Sequence, residues 1–154
     1  MCGRFVLSNF TDVKDFHNIL IEPSYNIAPS HSTLIFNQEM RPDFLEWGYS
    51  PIWAKKPMNL INAKYESLDI KPSFKDYETC VFVADGWFEW QKNLRDEKHP
   101  IFIHADNEIF YFAGIKNASG AAIVTINAHP TLANIHCRQP MFLDRQEISV
   151  WLKD

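Results

Sequence analysis

The sequence lacks the features that mark membrane, secreted and metal-clustering proteins. Its longest apolar runs, residues 80–84 and 121–126, are far shorter than the roughly 20 residues that span a bilayer. The segment after Met1 has no long apolar stretch, which argues against a secretory signal and predicts a soluble, cytoplasmic protein. The cysteines number only 3 and include no C-x-x-C pair, which argues against both a disulfide framework and structural zinc. We therefore expect no metal and no cofactor.

Excess positive charge is also missing. The 154 residues include 15 Lys+Arg against 19 Asp+Glu, a formal net charge of -4. That balance argues against a protein that coats nucleic acid through bulk charge, although a local basic groove remains compatible with it. No repeat, low-complexity tract or linker interrupts the chain. Length and organisation together predict one domain, residues 1–154.

Short β-branched or aromatic segments are the main secondary-structure signal, and no strand-plus-long-helix period recurs. This pattern predicts an α+β fold that is mainly antiparallel β, with a curled, barrel-like sheet and a few short helices. Strands are expected at residues 4–7, 33–37, 60–64, 79–84, 100–104, 108–114 and 122–126. Residues 101–104 and 109–112 flank the turn-forming residues 105–107, which predicts a hairpin.

Two helices are expected from their capping signals. Thr11 is predicted to cap the first helix. Its apolar face would carry Val13, Phe16 and Leu20. Asp144 with Glu147 three positions later resembles a capping box, which predicts a last helix through Trp151.

Cys2 is the residue with the most distinctive chemistry. Methionine aminopeptidases generally remove Met1 when so small a residue follows, which would leave an amine and a thiol on adjacent carbons. Such an aminothiol condenses with an aldehyde to a Schiff base and then closes a thiazolidine ring. The neighbouring cation of Arg4 favours a thiolate. The alternative is that Cys2 is an ordinary fraying terminal residue.

Six segments, in order along nearly the whole chain, resemble the motifs of one family. They are Met1-Cys2-Gly3-Arg4-Phe5, Tyr25-Asn26-Ile27-Ala28-Pro29, Trp47-Gly48-Tyr49-Ser50-Pro51-Ile52-Trp53, Ile61-Asn62-Ala63-Lys64-Tyr65-Glu66-Ser67, Ala84-Asp85-Gly86-Trp87-Phe88-Glu89-Trp90 and Ile135-His136-Cys137-Arg138-Gln139-Pro140. The sequence thus resembles the SRAP family, the SOS response-associated peptidase domain proteins.

The resemblance implies a sensor and shield of abasic sites in single-stranded DNA. It implies that Cys2, after loss of Met1, forms a covalent thiazolidine crosslink with the ring-opened sugar aldehyde, and that a peptidase-type activity is associated with exposing Cys2. By the same resemblance Glu89 is the catalytic acid and base, His136 is the catalytic histidine and Asn62 lies near the sugar. A monomer that uses no metal is expected.

Each carried-over residue also has an ordinary structural explanation. Glu89 in an apolar wall would keep its proton longer and could shuttle protons, but strand alternation could equally turn it outward between Phe88 and Trp90. His136 could exchange a proton with the sugar near neutral pH, or be a structural histidine. Asn62 could orient the sugar through its amide, or end a strand or turn.

Five side chains are expected to contact the DNA: Arg4, Pro29, Trp53, Lys64 and Arg138. The cations would hold phosphates together with Lys55 and Lys56, Trp53 would stack on a base and Pro29 would act as a wedge at the lesion. The alternative places Trp53 in the core and leaves both loop lysines solvated.

The sequence departs from the family pattern in three places. Lys64 replaces an arginine and cannot grip a phosphate with two parallel hydrogen bonds. Cys137 is expected to be a small buried apolar residue. The chain stops soon after the last predicted helix, where family members usually continue, as expected of a minimal viral-type version, a truncated one or a fragment.

Two other functions stay open at this stage. A shortened family member could bind single-stranded DNA without chemistry, or Cys2 could act as the nucleophile of an N-terminal amidohydrolase or a thiol peptidase.

Overall fold

A computed structural model describes residues 1–153, apart from the side chains of Asp15 and Phe16. These residues form strands and helices in the order β1 (Phe5–Leu7), α1 (Phe10–His17), β2 (Ser24–Ile27), β3 (Ser32–Phe36), β4 (Pro42–Glu46), β5 (Asn62–Lys64), β6 (Glu78–Ala84), β7 (Gly86–Lys92), β8 (Lys98–His104), β9 (Phe110–Asn117), β10 (Gly120–Asn127), β11 (Arg138–Pro140), β12 (Phe142–Leu143) and α2 (Arg145–Leu152). Within this part of the chain no helix is long and apolar enough to cross a membrane.

The strands form two sheets. The first has the order β2-β1-β7-β8, and the second has the order β11-β10-β9-β6-β3-β4 with β12 beside β9. Strand β5 pairs with β10 in parallel, and the other strand pairs are antiparallel. The expected α+β class, with mainly antiparallel strands and few short helices, is confirmed. The expected barrel-like closure is wrong, because β1, β7 and β8 pair among themselves and leave two open layers.

Aromatic side chains join the two sheets. Phe5 and Trp87 extend from the first sheet, and their rings meet Phe82, Phe112 and Phe142 of the second at centroid distances of 5.1 to 6.4 Å. All but the half-buried Phe142 have at most 3% of their surface exposed. Because side chains on a strand alternate, the inward position of Trp87 also turns Glu89 toward this interior.

Helix α1 differs from its sequence prediction. Asn9, and not Thr11, caps the helix, and its Oδ1 accepts a hydrogen bond from the Asp12 backbone at 3.2 Å. The helix ends at His17 because Asn18 adopts a left-handed conformation with φ of 51°. Val13 is buried as expected, but Leu20 lies beyond the helix and is exposed. The side chain of Phe16 lies outside the described residues.

The predicted hairpin between residues 101–104 and 109–112 is wrong. Strand β8 pairs with β7, whereas β9 pairs with β6, β10 and β12 of the other sheet. Asp106 and Asn107 do turn the chain with positive φ, as their type favours. The turn carries the chain from one layer to the other, because the partner of a strand is decided by its apolar face and not by its turn.

The capping box of the last helix is confirmed. Asp144 accepts a hydrogen bond from the Glu147 backbone at 2.8 Å, and the Glu147 side chain accepts one from the Asp144 backbone at 2.8 Å. Ile148 and Leu152 are buried, and the Trp151 indole donates to the Cys80 carbonyl at 2.9 Å. These contacts dock α2 against β6.

Asp85 ties the start of the chain to β7. It lies between β6 and β7, and its Oδ2 accepts hydrogen bonds from the Ser8 backbone at 2.7 Å, the Ser8 hydroxyl at 3.0 Å and the Asn9 backbone at 2.6 Å. Only 3% of Asp85 is exposed. This buried carboxylate therefore fixes β1, and with it the terminal residues, beside the strand that carries Glu89.

Candidate active site at the terminal amine

The α-amino group of Met1 lies between a carboxylate and an imidazole. Its nitrogen is 3.3 Å from Glu89 Oε2, and it is 2.7 Å from Nε2 and 3.1 Å from Nδ1 of His136. Half of Met1 is exposed, whereas 2% of Glu89 is. The terminal amine therefore sits at the solvent side of a buried acid.

Glu89 points into the molecule. On β7 the exposed neighbour is Trp90, Phe88 is half-buried, and Glu89 shares the inner face with Trp87. The outward-facing alternative for Glu89 is wrong. Among the described residues, Glu89 Oε1 has no hydrogen-bond partner. A buried carboxylate oxygen without a protein partner is available to a ligand, because leaving it unpaired costs free energy.

The hydrogen bonds of His136 assign its tautomer. The Arg138 backbone N–H donates to Nδ1 at 3.0 Å, so the neutral ring carries its proton on Nε2. That Nε2 is the atom closest to the Met1 amine. His136 lies in the loop before β11, and this loop is held in place because the Gln91 side chain of β7 donates to the Asn134 carbonyl at 2.9 Å. His136 can therefore donate a proton to a group that takes the place of the terminal amine.

Cys2 follows the terminal residue and is completely buried. Its Sγ faces the Arg4 carbonyl oxygen at 3.9 Å. Burial, and secondarily the charge of Glu89, raise the pKa of the Cys2 thiol far above its usual range. The expectation that Arg4 favours a thiolate therefore does not describe the chain with Met1 in place, where the thiol is protonated and shielded.

Arg138 is largely occupied by protein groups. Its guanidinium donates two parallel hydrogen bonds to Glu66 at 2.8 and 2.9 Å, and others to Asn127 Oδ1 and the Thr125 carbonyl, each at 2.7 Å. Only 8% of Arg138 is exposed. The same residue holds His136 through its backbone N–H. Arg138 thus links the imidazole to the segment around Glu66.

Lys64 and Asn62 lie on β5 with their side chains on the same face, since they are two residues apart. Lys64 is exposed, and hydrogen bonds from Arg138, with a smaller effect of the Lys64 charge, lower the pKa of Glu66 to about 2. The Asn62 amide donates to the Ile61 carbonyl at 3.0 Å, and its buried Oδ1 has no partner among the described residues. Asn62 therefore keeps a free acceptor.

The other predicted DNA contacts are distributed over separate elements. Arg4 reaches Asn26 Oδ1 at 3.5 Å across the first sheet, and Pro29 follows β2 and is half-buried. Trp53 is 58% exposed and donates to the Pro72 carbonyl at 3.3 Å. The alternative that placed Trp53 in the core is wrong. Lys55 and Lys56 are exposed on the same loop.

Cys137 is exposed, so its predicted burial is wrong. It lies in the loop that turns His136 toward the terminal amine, where the Cys137 carbonyl accepts a hydrogen bond from the Ala128 backbone at 3.0 Å. A loop residue beside a site is not governed by strand alternation, so its apolar character alone did not reveal its exposure.

Glu66 and Gln91 have contacts at the site that the sequence did not predict. Glu66 orients Arg138, and its presence two residues after Lys64 in one of the six motifs was the available signal. Gln91 fixes the His136 loop, but nothing in its sequence position indicated that long-range contact. Among residues 1–153, no group of three or more His, Cys, Asp or Glu residues could hold a metal ion.

This geometry brings several reactive groups together at the start of the chain. An amine, a carboxylate and an imidazole meet there, and the buried thiol belongs to the next residue. A family model described as SOS response associated peptidase (SRAP) matches residues 1–154. The chain therefore belongs to the SRAP family.

Individual relatives support this membership. The chain is 33% identical over 181 residues to the abasic site processing protein YedK of Escherichia coli, an alignment that covers 99% of this chain and 80% of that protein. It is 26% identical over 187 residues to the abasic site processing protein HMCES of Mus musculus, covering 84% and 53% of the two chains. The crystal structure of a phage-related protein from Bordetella bronchiseptica matches with a TM-score of 0.77 at 27% identity, covering 98% of this chain and 81% of that one.

Proposed function

We propose that this protein captures abasic sites in single-stranded DNA through a thiazolidine crosslink to Cys2, formed after Met1 is removed. It thereby shields the lesion during DNA repair, acting as a monomer in the cytoplasm and associating with the nucleoid at sites of damage. The observation that carries the proposal is the position of the terminal amine, which contacts Glu89 and His136 directly. The names of the relatives, which process abasic sites, agree with this function.

Loss of Met1 exposes both nucleophiles of Cys2. The peptide nitrogen of Cys2 becomes a primary amine, and the space that Met1 occupied becomes available to the sugar. Because Cys2 is fully buried while Met1 is attached, the thiol is protected until then. The buried Glu89 beside it can accept the thiol proton during the reaction.

Besides the bonds that the Cys2 amine and thiol form to C1′, the reaction requires only proton transfers between groups at this site. The Cys2 amine adds to the C1′ aldehyde of the ring-opened sugar, and the resulting carbinolamine loses water to give an imine. Sγ then adds to the imine carbon, and the thiol proton goes to the nitrogen through Glu89. One water leaves overall. His136, which carries its proton on Nε2, would donate it to the sugar oxygen during ring opening.

The residues proposed to hold the DNA differ in their exposure and in their hydrogen bonds to other protein groups. Lys64, Lys55 and Lys56 are exposed and can contact phosphates from solvent. Trp53 is available for stacking on a base. Arg138 is held by Glu66, so we propose that it contacts phosphate only through the edge left exposed and mainly positions His136.

Asn62, Arg4 and Pro29 complete the proposed site. The unpaired Oδ1 of Asn62 would accept a hydrogen bond from the sugar hydroxyl. Arg4 would contact a phosphate next to the lesion, since its hydrogen bond to Asn26 is long and readily exchanged. Pro29 would separate the bases at the lesion.

A thiol peptidase is favoured less. Its thiol nucleophile needs a base beside it, but His136 contacts the terminal amine and the Cys2 thiol faces the Arg4 carbonyl oxygen. Within this proposal the peptidase-type activity named in the family description assists methionine aminopeptidase in exposing Cys2.

The test uses Met1-free protein and a single-stranded oligonucleotide with one abasic site. We expect a heat-stable adduct without any reductant for the wild type, and none for Cys2→Ala. A matched oligonucleotide without the lesion controls for simple binding. Equal adduct yields from wild type and Cys2→Ala would overturn the proposal. Binding of both oligonucleotides without an adduct would instead identify a non-catalytic DNA-binding module.

A further inference from the structure

While Met1 is attached, its α-amine lies beside the imidazole and the carboxylate, where an amine nucleophile would act. Its nitrogen lies 2.7 Å from His136 Nε2 and 3.3 Å from Glu89 Oε2. The amine donates to Glu89 and forms an ion pair with it, so this carboxylate can take the proton that the amine must lose before it attacks. The neutral form is the form of an amine that attacks aldehydes.

We propose that the Met1-retaining protein is a strand-cleaving lyase at abasic sites, acting through the Met1 amine. The proposal rests on the abasic-site function proposed above, and it assigns a second outcome to the same site. Retention or removal of Met1 would then decide whether the lesion is cleaved or shielded.

The thiol cannot intercept the Met1 imine. With Met1 attached, the nitrogen of Cys2 is an amide and is not a nucleophile. Closure through Sγ would need a medium-sized ring that contains the planar trans Met1–Cys2 amide. Sγ is moreover fully buried and faces the Arg4 carbonyl oxygen. The imine therefore persists without ring closure.

An imine that persists at an abasic sugar can undergo β-elimination of the 3′ phosphate. The Met1 amine adds to the C1′ aldehyde and one water leaves, giving the imine. The C2′ proton goes to Glu89, the C3′–O bond breaks, and the 3′ phosphate leaves with the bonding electrons. One water then hydrolyses the unsaturated imine and restores the amine. The buried Glu89 is placed for the proton step, because its Oε1 has no partner among the described residues.

The surface around the amine permits access. Met1 is 52% exposed, and its contacts with His136 are at the exposed side of the site. The sugar can therefore approach the nitrogen from solvent while Glu89 stays at the buried side.

The experiment compares two preparations of the same full chain that differ only at the terminal nitrogen. Cell-free synthesis without methionine aminopeptidase leaves Met1 in place, and omission of deformylase as well leaves that amine formylated. Intact mass verifies each preparation, and circular dichroism verifies the fold. Both are incubated with a single-stranded oligonucleotide that carries one abasic site, with and without borohydride.

We expect strand cleavage by the free Met1 amine and its loss in the formylated chain, because formylation removes the nucleophile. Borohydride should trap an adduct that peptide mapping places on Met1. Equal cleavage by both preparations, or trapping on a lysine, would overturn the lyase proposal.

A third preparation with Met1 removed separates the two proposals. If it forms the heat-stable crosslink and the Met1-retaining chain does not cleave, only the lyase proposal fails. If it forms no crosslink and Met1-dependent cleavage is observed, the thiazolidine proposal fails and the lyase proposal stands.

Discussion

Replacement of Glu89 by glutamine is the sharpest test of the chemistry assigned to the site. The substitution keeps the shape of the side chain and its hydrogen-bonding reach, but it removes the ability to move a proton. Positioned acid–base groups usually accelerate a reaction about 100- to 10,000-fold. We therefore expect crosslinking by Met1-free Glu89→Gln to be at least about 100-fold slower, a barrier increase of about 2.7 kcal/mol.

The same substitution should leave the fold intact. Glu89 is 2% exposed, and its Oε1 has no partner among the described residues. A buried charge without full pairing opposes folding, so the neutral amide should leave the free energy of unfolding unchanged or raise it by about 1 kcal/mol. A slow variant with an unchanged or higher melting temperature cannot be explained by unfolding.

The assay follows the heat-stable adduct with time on a denaturing gel. Glu78→Gln is the matched control, because it removes the same charge from an exposed carboxylate that pairs with Lys116 at 2.9 Å. The control should react like the wild type. A Glu89→Gln rate within about twofold of wild type would refute the assignment of proton transfer to Glu89.

Three further substitutions test other features of the fold and the site. Asp85→Ala leaves two backbone N–H groups without their acceptor and should lower the free energy of unfolding by about 3 kcal/mol, measured by urea denaturation, with Asp85→Asn less affected. Glu66→Gln should cost about 1 kcal/mol at pH 7, a modest value because Glu66 is half-exposed. Since the folded-state pKa of Glu66 is lowered from 4.5 to about 2, this difference should be constant above pH 4.5 and vanish as the pH falls toward 2; a constant difference down to pH 2 would contradict it. Trp53→Ala should weaken binding to single-stranded DNA by about 1–3 kcal/mol in fluorescence anisotropy, and unchanged affinity would remove Trp53 from the interface.

Local signals predicted individual elements well. The capping box at Asp144 depends only on residues three positions apart, so the sequence contains all of its determinants. Several strands, such as β6 and β10, were predicted because their β-branched and apolar residues are buried on both faces. The start of α1 was misplaced by two residues, because Asn9 and Thr11 are both competent caps.

Long-range pairing could not be predicted in the same way. The turn at residues 105–107 has the composition of a hairpin, but packing of apolar faces sends β8 and β9 to different sheets. The orientation of Glu89 was ambiguous because aromatic residues flank it on both sides. Only the pairing of Trp87 with Phe112 and Phe142 in the core decides which face of β7 is buried.

At the candidate site, too, the sequence predicted residue types but not long-range contacts. The motifs identified Cys2, Glu89 and His136 as candidate site residues. The contacts of Glu89 and His136 with the chain terminus are visible only in the structure. Occupation of Arg138 by Glu66 was not anticipated, since a charge in a sequence does not reveal its partner.

Intact mass of the Met1-free protein after incubation with abasic single-stranded DNA tests the central claim most directly. We expect a denaturation-resistant species, formed without reductant, whose mass is that of protein plus oligonucleotide minus one water. It should be absent from Cys2→Ala. No such species from the wild type, or the same species from Cys2→Ala, would contradict covalent capture by the terminal aminothiol.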